Sequence, residues 1–168
     1  MRILEALPKK KAEKLVTNSG RLNRSPVEPD QLRQFVTLQV KSAMSRNVLT
    51  VHKHMTLREL DRLFSQYDFN GFPVVEDHHV IGVVTKFDLL RSFILNPNSV
   101  IPRYDHLMKR SVEEIMTTEI HTVYPTTPLT RVLEMMINTR VRSVPVVDAK
   151  NRLQGIISRG DIVRALNG

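Results

Sequence analysis

Cysteine is absent from the 168 residues. That excludes disulfides, thiolate-bound zinc and a cysteine nucleophile, and it suits a reducing compartment. No apolar run approaches the ~18–20 residues that a membrane span needs, and mean hydropathy is −0.21. The first residues, Met1 to Lys11, carry an acid and a proline and end in three consecutive lysines. They lack the apolar stretch and small-residue cleavage site of a secretory leader, so a cytoplasmic protein without membrane contact is expected. The six histidines (His52, His54, His78, His79, His106 and His121) include no i, i+4 pair of the kind that zinc enzymes use, and no metal site is expected. Phosphate-binding P-loops and Gly-x-Ser-x-Gly elbows are missing too. The carboxylates are scattered. A nucleophile, a base and a metal cannot be assembled from these residues, and no enzymatic activity is expected.

What is present is a hydrophobic content of 41%, enough to pack one ordinary domain or two small units sharing an interior. The net charge is +8, unevenly placed. Residues 1–39 hold eight Lys/Arg against four Asp/Glu, so this quarter is about as basic as the other three together. Such an arm can meet nucleic acid or an acidic partner. It carries no recognisable nucleic-acid motif, and a solvated tail is the simpler reading.

The main signal is an internal repeat. Val40-x-x-x-Met44 matches Val112-x-x-x-Met116, Thr50-Val51 matches Thr122-Val123, Leu57 matches Leu129, and Pro73-Val74-Val75 matches Pro145-Val146-Val147, all 72 residues apart. One residue is then inserted in the polar stretch Asp148 to Asn151, and Gly82, Asp88 and Arg91 match Gly155, Asp161 and Arg164. Each copy reads β-α-β-β-α. A short strand (Val48 to Val51; Ile120 to Val123) leads into a helix. In the first copy Leu57, Leu60, Leu63, Phe64 and Tyr67 share a face of that helix. In the second, Thr127 is expected as N-cap, with Pro128 at the first helical position. Two strands follow (Phe72 to Val75 and Val80 to Val84; Val144 to Val147 and Leu153 to Ile157), then a second helix. The first helix of copy two is apolar on more than one face, through Leu129, Val132, Leu133, Met135, Met136 and Ile137, so it needs two partners: its own sheet, and the sister copy or another chain. The two copies should therefore stack, and the slab should pair again as a homodimer. Residues 96–111 read as a connector, with Tyr104 to Met108 helical.

After the third strand of each copy the chain reads Thr85-Lys86-Phe87-Asp88 and Ser158-Arg159-Gly160-Asp161. A hydroxyl, a base and a carboxylate recur at a helix mouth. This chemistry suits a nucleotide: helix N–H groups, the hydroxyl and the cation for phosphate, and the acceptor-only carboxylate for ribose hydroxyls. The same spacing also describes a capping box, which needs no ligand at all.

The β-α-β-β-α unit, the Pro-Val-Val strand, the Gly-Val-Val-Thr-x-x-Asp and Gly-Ile-Ile-Ser-x-x-Asp turns and the tandem duplication together resemble a pair of CBS domains, the Bateman module. The resemblance covers residues 40–168. It implies an α/β (α+β) fold with CBS unit 1 at 40–95 and CBS unit 2 at 112–168, packed with pseudo-twofold symmetry. It also implies two clefts that bind adenosine-containing ligands: AMP, ADP, ATP, S-adenosylmethionine or NAD. The family assigns a ribose role to Asp88 and Asp161 and a phosphate role to Thr85 and Ser158, with Lys86 and Arg159 adding charge. Each family cleft borrows from the sister unit. Ser158 and Asp161 should thus meet Asn47, Val48, Asn70, Gly71 and Phe72, while Thr85 and Asp88 should meet Ile120, Val141, Arg142 and Ser143. Arg142 would reach a phosphate, making the second cleft the more basic. The resemblance implies a ligand sensor whose effector is a separate protein. A nucleic-acid binder and a ligand-free dimerisation adaptor are the alternatives.

Overall fold

The computed structural model describes residues 29–94 and 104–167. The first 28 residues of the basic arm and the connector stretch 95–103 lie outside the described residues. Helix α1 (Pro29–Thr37) and the single turn α2 (Val40–Ala43) precede helix α3 (Leu57–Gln66), strands β1 (Gly71–Glu76) and β2 (His79–Thr85), and helix α4 (Lys86–Ser92). The second half runs α5 (Tyr104–Leu107), a 3-10 turn (Val112–Glu114), α6 (Leu129–Thr139), β3 (Ser143–Val147), β4 (Leu153–Ser158) and α7 (Arg159–Asn167).

Local chemistry sets these elements. Thr56 starts α3 with a capping box: its hydroxyl accepts from Glu59 N at 3.3 Å, and Glu59 Oε2 accepts from Thr56 N at 2.8 Å. Leu57, Leu60 and Phe64 then fall on one buried face. The corresponding cap of α6 is Pro128, not the expected Thr127. The first helical N–H, that of Leu129, donates to Leu38 O at 3.0 Å, so an incoming segment takes the group that Thr127 would have served. Thr127 Oγ1 accepts from Tyr124 N instead. The 72-residue offset maps Thr56 onto Pro128, in agreement with this.

The strands β1 and β2 pair antiparallel, as do β3 and β4, each with a bulge at the same repeat position. The expected first strands, 48–51 and 120–123, shrink to single parallel bridges, Val51 with Val74 and Val123 with Val146. Proline explains this. Val51 bonds Pro73 O and Val75 N; the next rung outward would need an N–H from Pro73, which has none, and Pro145 blocks its copy in the same way. The hairpin tips meet. His79 bridges Arg152, and Asn151 Nδ2 donates to Val80 O at 3.0 Å. Asp77 and His78 both have positive φ, 47° and 67°, as a two-residue hairpin turn with the native twist requires.

The two cores exchange their leading segments. Val40, Ala43 and Met44 pack into the core built from α6, β3, β4 and α7, together with Phe35 of α1. Val112, Ile115 and Met116 pack into the core of α3, β1, β2 and α4, together with Leu107 of α5. The main chain follows: Ser45 pairs with Ile156 of β4, and Thr117 with Val83 of β2. Gly155 and Gly82 sit under these crossings. A Cβ at Gly155 would lie 2.8 Å from Ser45 O and 2.9 Å from Met44 Sδ, and one at Gly82 would lie 3.0 Å from Thr117 O. The recurring glycine therefore permits the close approach of the sister segment. Phe35 and Leu107 stand 72 residues apart, so the repeat begins before residue 40, inside the arm. Helix α1 covers α6 and α7 and supplies part of the second partner expected for α6. Ile137 on that helix remains 65% exposed.

Candidate functional site

Because each leading segment crosses to the sister core and then returns, two cavities form where the chain passes between the cores. Residues 47–49 run from the bridge at Ser45 to the bridge at Val51 and border the first cavity, of about 340 Å³. Residues 119–121 run between the bridges at Thr117 and Val123 and border the second, of about 480 Å³. The two cavities share a wall: Asn70, Gly71, Arg142 and Ser143 line both. Asn70 and Arg142 are repeat counterparts, and Arg142 Nη1 reaches Asn70 Oδ1 at 3.4 Å.

The first cavity brings together Ser158, Asp161, Asn47, Val48, Asn70 and Gly71. Ser158 Oγ and N both donate to Asp161 Oδ2, at 2.6 and 2.7 Å, and Asp161 N returns a bond to Ser158 Oγ. Asp161 is 5% exposed, and its other oxygen meets Arg164. Phe72 borders this cavity, yet its side chain is 1% exposed and packs on Phe64 with ring centroids 4.9 Å apart. Its side chain therefore belongs to the first core. The aromatic side chain available here is Phe69, 46% exposed and stacked on Tyr67. Sequence reasoning missed it, although the offset that assigns Val141 to one cleft assigns Phe69 to the other. Arg159 lies off the wall. Its Nε donates to Val141 O at 3.0 Å and its Nη2 to Met136 O at 3.3 Å, so its guanidinium ties α7 to the end of α6 and is not aimed at a phosphate.

The second cavity brings together Thr85, Lys86, Ile120, Val141, Arg142 and Ser143. Asp88 stands just behind this wall, half-buried, with Oδ2 accepting from Thr85 Oγ1 at 2.5 Å and from Thr85 N at 2.8 Å. Both hydroxyl–carboxylate pairs thus form the capping arrangement. The helix mouths are less open than expected: Lys86 N donates to Asn70 O, and Arg159 N to Arg142 O. An anion would be met mainly by side chains. Here the cavities differ. The second has Lys86, Arg140 and Arg142 against Glu119, with His121 beside them. The first has Arg142 and Arg164 against Asp68 and Asp161. Arg140 is held with φ at 59° at the end of α6, a conformation uncommon for its type and often found at binding sites. Among the described residues, no group of three or more His, Cys, Asp or Glu side chains could hold a metal ion, and no helix is long and apolar enough to cross a membrane.

A family model described as "CBS domain" matches residues 40–95 and again 112–168. The CBS domain-containing protein YhcV of Bacillus subtilis is 31% identical over 124 residues, covering 73% of this chain and 81% of that protein. L-aspartate semialdehyde sulfurtransferase of Methanocaldococcus jannaschii is 27% identical over 154 residues, 91% of this chain; the chain spans only 27% of that enzyme. Among solved structures, the CBS domain pair of protein MJ0100 in complex with 5′-methylthioadenosine and S-adenosyl-L-methionine superposes with a TM-score of 0.63 at 26% identity, covering 76% of this chain and 94% of that one. CBSX2 in complex with AMP gives 0.65 at 27% identity, with the same coverage.

Proposed function

The chain belongs to the CBS-domain family, with two copies in tandem, and from that premise we propose that it is a regulatory module binding an adenosine-containing ligand between its two units. The observation that carries this reading is the pair of cavities at the segment crossing, each with a Ser/Thr–Asp pair at its border and each sharing Arg142. Relatives of similar architecture hold AMP, S-adenosyl-L-methionine and 5′-methylthioadenosine. The larger, more basic cavity suits a phosphorylated ligand, with Lys86, Arg140 and Arg142 facing the phosphate and Ile120 and Val141 facing the base. The carboxylates serve as helix caps and ribose acceptors, so the module binds and does not catalyse.

The output is a change in the relative placement of the two units, which a ligand can drive only through different affinities for the two placements. An effector protein reads it, in a homodimer, in the cytoplasm. The last helix of each unit supports the pairing: Phe87, Leu90 and Val163 are 70%, 66% and 56% exposed, more large apolar surface than a solitary module needs to show.

Thermal unfolding with AMP, ADP, ATP, S-adenosylmethionine, NADH and a guanine nucleotide tests the reading. A ligand at ~100 times its dissociation constant adds about 2.7 kcal/mol, or roughly 5–10 °C for a chain of this size. A shift with one adenosyl ligand supports the proposal. No shift with any of them in a folded sample refutes it and leaves the ligand-free adaptor. Retention on nucleic acid that weakens steeply with salt would instead favour the basic arm as the binding element.

A further inference from the structure

Among the described residues, Arg142 is the only basic side chain that borders both cavities. It is exposed, and Asn70 Oδ1 at 3.4 Å is a weak partner that an anion would readily displace. The other charges differ between the clefts. In the larger, Arg140 and Lys86, the latter also 3.8 Å from Asp68, remain beside it against the single carboxylate of Glu119. In the smaller, the other guanidinium, Arg164, is engaged by the buried carboxylate of Asp161, and Asp68 adds a second negative charge.

We infer that Arg142 is an anion ligand shared between the clefts, so that one cleft at a time holds a phosphorylated nucleoside while the other takes an uncharged one. This rests on the adenosyl-binding reading above and goes beyond it. A guanidinium grips a phosphate bidentately through two of its five N–H donors, and a single side chain on a shared wall turns that edge into only one cleft at a time. The larger cleft, with two more cations, wins it. The smaller is then left with Asp68 and Asp161 against Arg164, a wall that repels a phosphate and accepts a neutral ribose. Anion binding in the two clefts is therefore negatively coupled through one side chain, and the coupling is reciprocal.

Isothermal titration of the full chain with AMP and with adenosine tests this. The expected result is one tightly bound AMP per chain, with adenosine still binding to the AMP-saturated protein. Arg142→Gln should lower AMP affinity by about ten- to a hundredfold and adenosine affinity by far less. Arg142→Lys, which keeps charge but not the fork, should fall between. Asp161→Ala should remove the adenosine that binds after AMP and spare the AMP. Two AMP molecules bound with near-equal affinity, or an Arg142→Gln protein with unaltered AMP affinity, would overturn the sharing while leaving the adenosyl reading in place. Failure of AMP to bind folded wild type would overturn the sharing, and failure of every adenosyl ligand named above would overturn that reading itself.

Discussion

Replacing Asp161 by alanine should destabilise the ligand-free protein more than replacing Asp88, although the two are repeat counterparts. Both carboxylates cap a helix by accepting two bonds at Oδ2, from Ser158 at 2.7 and 2.6 Å and from Thr85 at 2.8 and 2.5 Å. Their surroundings differ. Asp161 is 5% exposed and also holds Arg164. Asp88 is half-buried, and among the described residues Arg91, the counterpart of Arg164, makes no such pair. Loss of a cap costs about 0.5–2 kcal/mol, and a buried N–H left without a partner costs about 1–3 kcal/mol. These overlap, because the group in question is the N–H of Ser158, a half-buried residue whose N–H lies against the buried Asp161 carboxylate. The sum is about 2–3 kcal/mol for Asp161 and about 1 kcal/mol for Asp88. Arg164 adds little to the loss, since its side chain is 74% exposed and water replaces the carboxylate. For a chain of this length the melting temperature should fall by about 4–12 °C in Asp161→Ala and about 2–4 °C in Asp88→Ala. Calorimetric or circular-dichroism melts without ligand provide the measurement. Asp161→Asn, which keeps an acceptor for Ser158 N, should recover at least half of the loss. Equal losses at the two positions would refute the argument from burial. The comparison also separates the structural work of each carboxylate from its ligand role, which shows only as a change in the ligand-induced shift.

Three further outcomes follow from packing and protonation. Phe35→Ala should cost about 3 kcal/mol in denaturant melts, because Phe35 is 4% exposed in the second core; a neutral effect would mean that α1 is not part of that core. Gly155→Ala should cost about 1–3 kcal/mol, since its Cβ would fall on Ser45 O and Met44 Sδ where the segments cross, whereas Gly160→Ala, with 3.6 Å of clearance, should be far milder. Among the described residues, four carboxyls are held below their ordinary range: Glu59 by the Thr56 hydroxyl, Glu76 by Lys53, Glu114 by Arg110 and Asp148 by the Arg152 N–H. The native state therefore binds fewer protons than the unfolded chain, so their contribution is complete above about pH 4.5 and drains away as pH falls through the depressed values; in urea melts between about pH 3 and 7 the part due to these carboxyls should rise with pH at the acid end and level off above about pH 5.

Much of the fold was legible because duplication prints the same apolar and turn positions twice. Pro-Val-Val fixed the inner strand, and Gly-x-x-Thr and Gly-x-x-Ser fixed the edge and the helix start that follows. The repeat register carries more than its apolar positions. The offset of 72 pairs Thr56 with Pro128 and Val141 with Phe69, so the cap of α6 and the exposed aromatic residue of the first cleft were both available in it. The same offset pairs Phe35 with Leu107, but the neighbouring pair Leu38 and Arg110 differs in character, and that end of the repeat faded into the arm. Arg159 could not have been read correctly at all. Its fork closes on the carbonyls of Val141 and Met136, which lie 18 and 23 residues away, and only the packed helix ends bring those groups together.

The segment exchange bears on how a bound ligand could be felt. Were the units two closed domains, a ligand between them would sit on finished surfaces and compete only with water. Instead, residues 47–49 and 119–121 are anchored at one end to the second core and at the other to the first, in opposite order, through Ser45 and Val51 and through Thr117 and Val123. Each cleft is therefore walled by chain that spans both cores. Displacing that wall must strain one of the two bridges or move the cores together, because the glycines beneath the crossings leave no slack. A ligand that fits one spacing of the cores better than another would thereby be coupled to their placement, while the hairpin contact between Asn151 and Val80 ties the cores together at the strand tips.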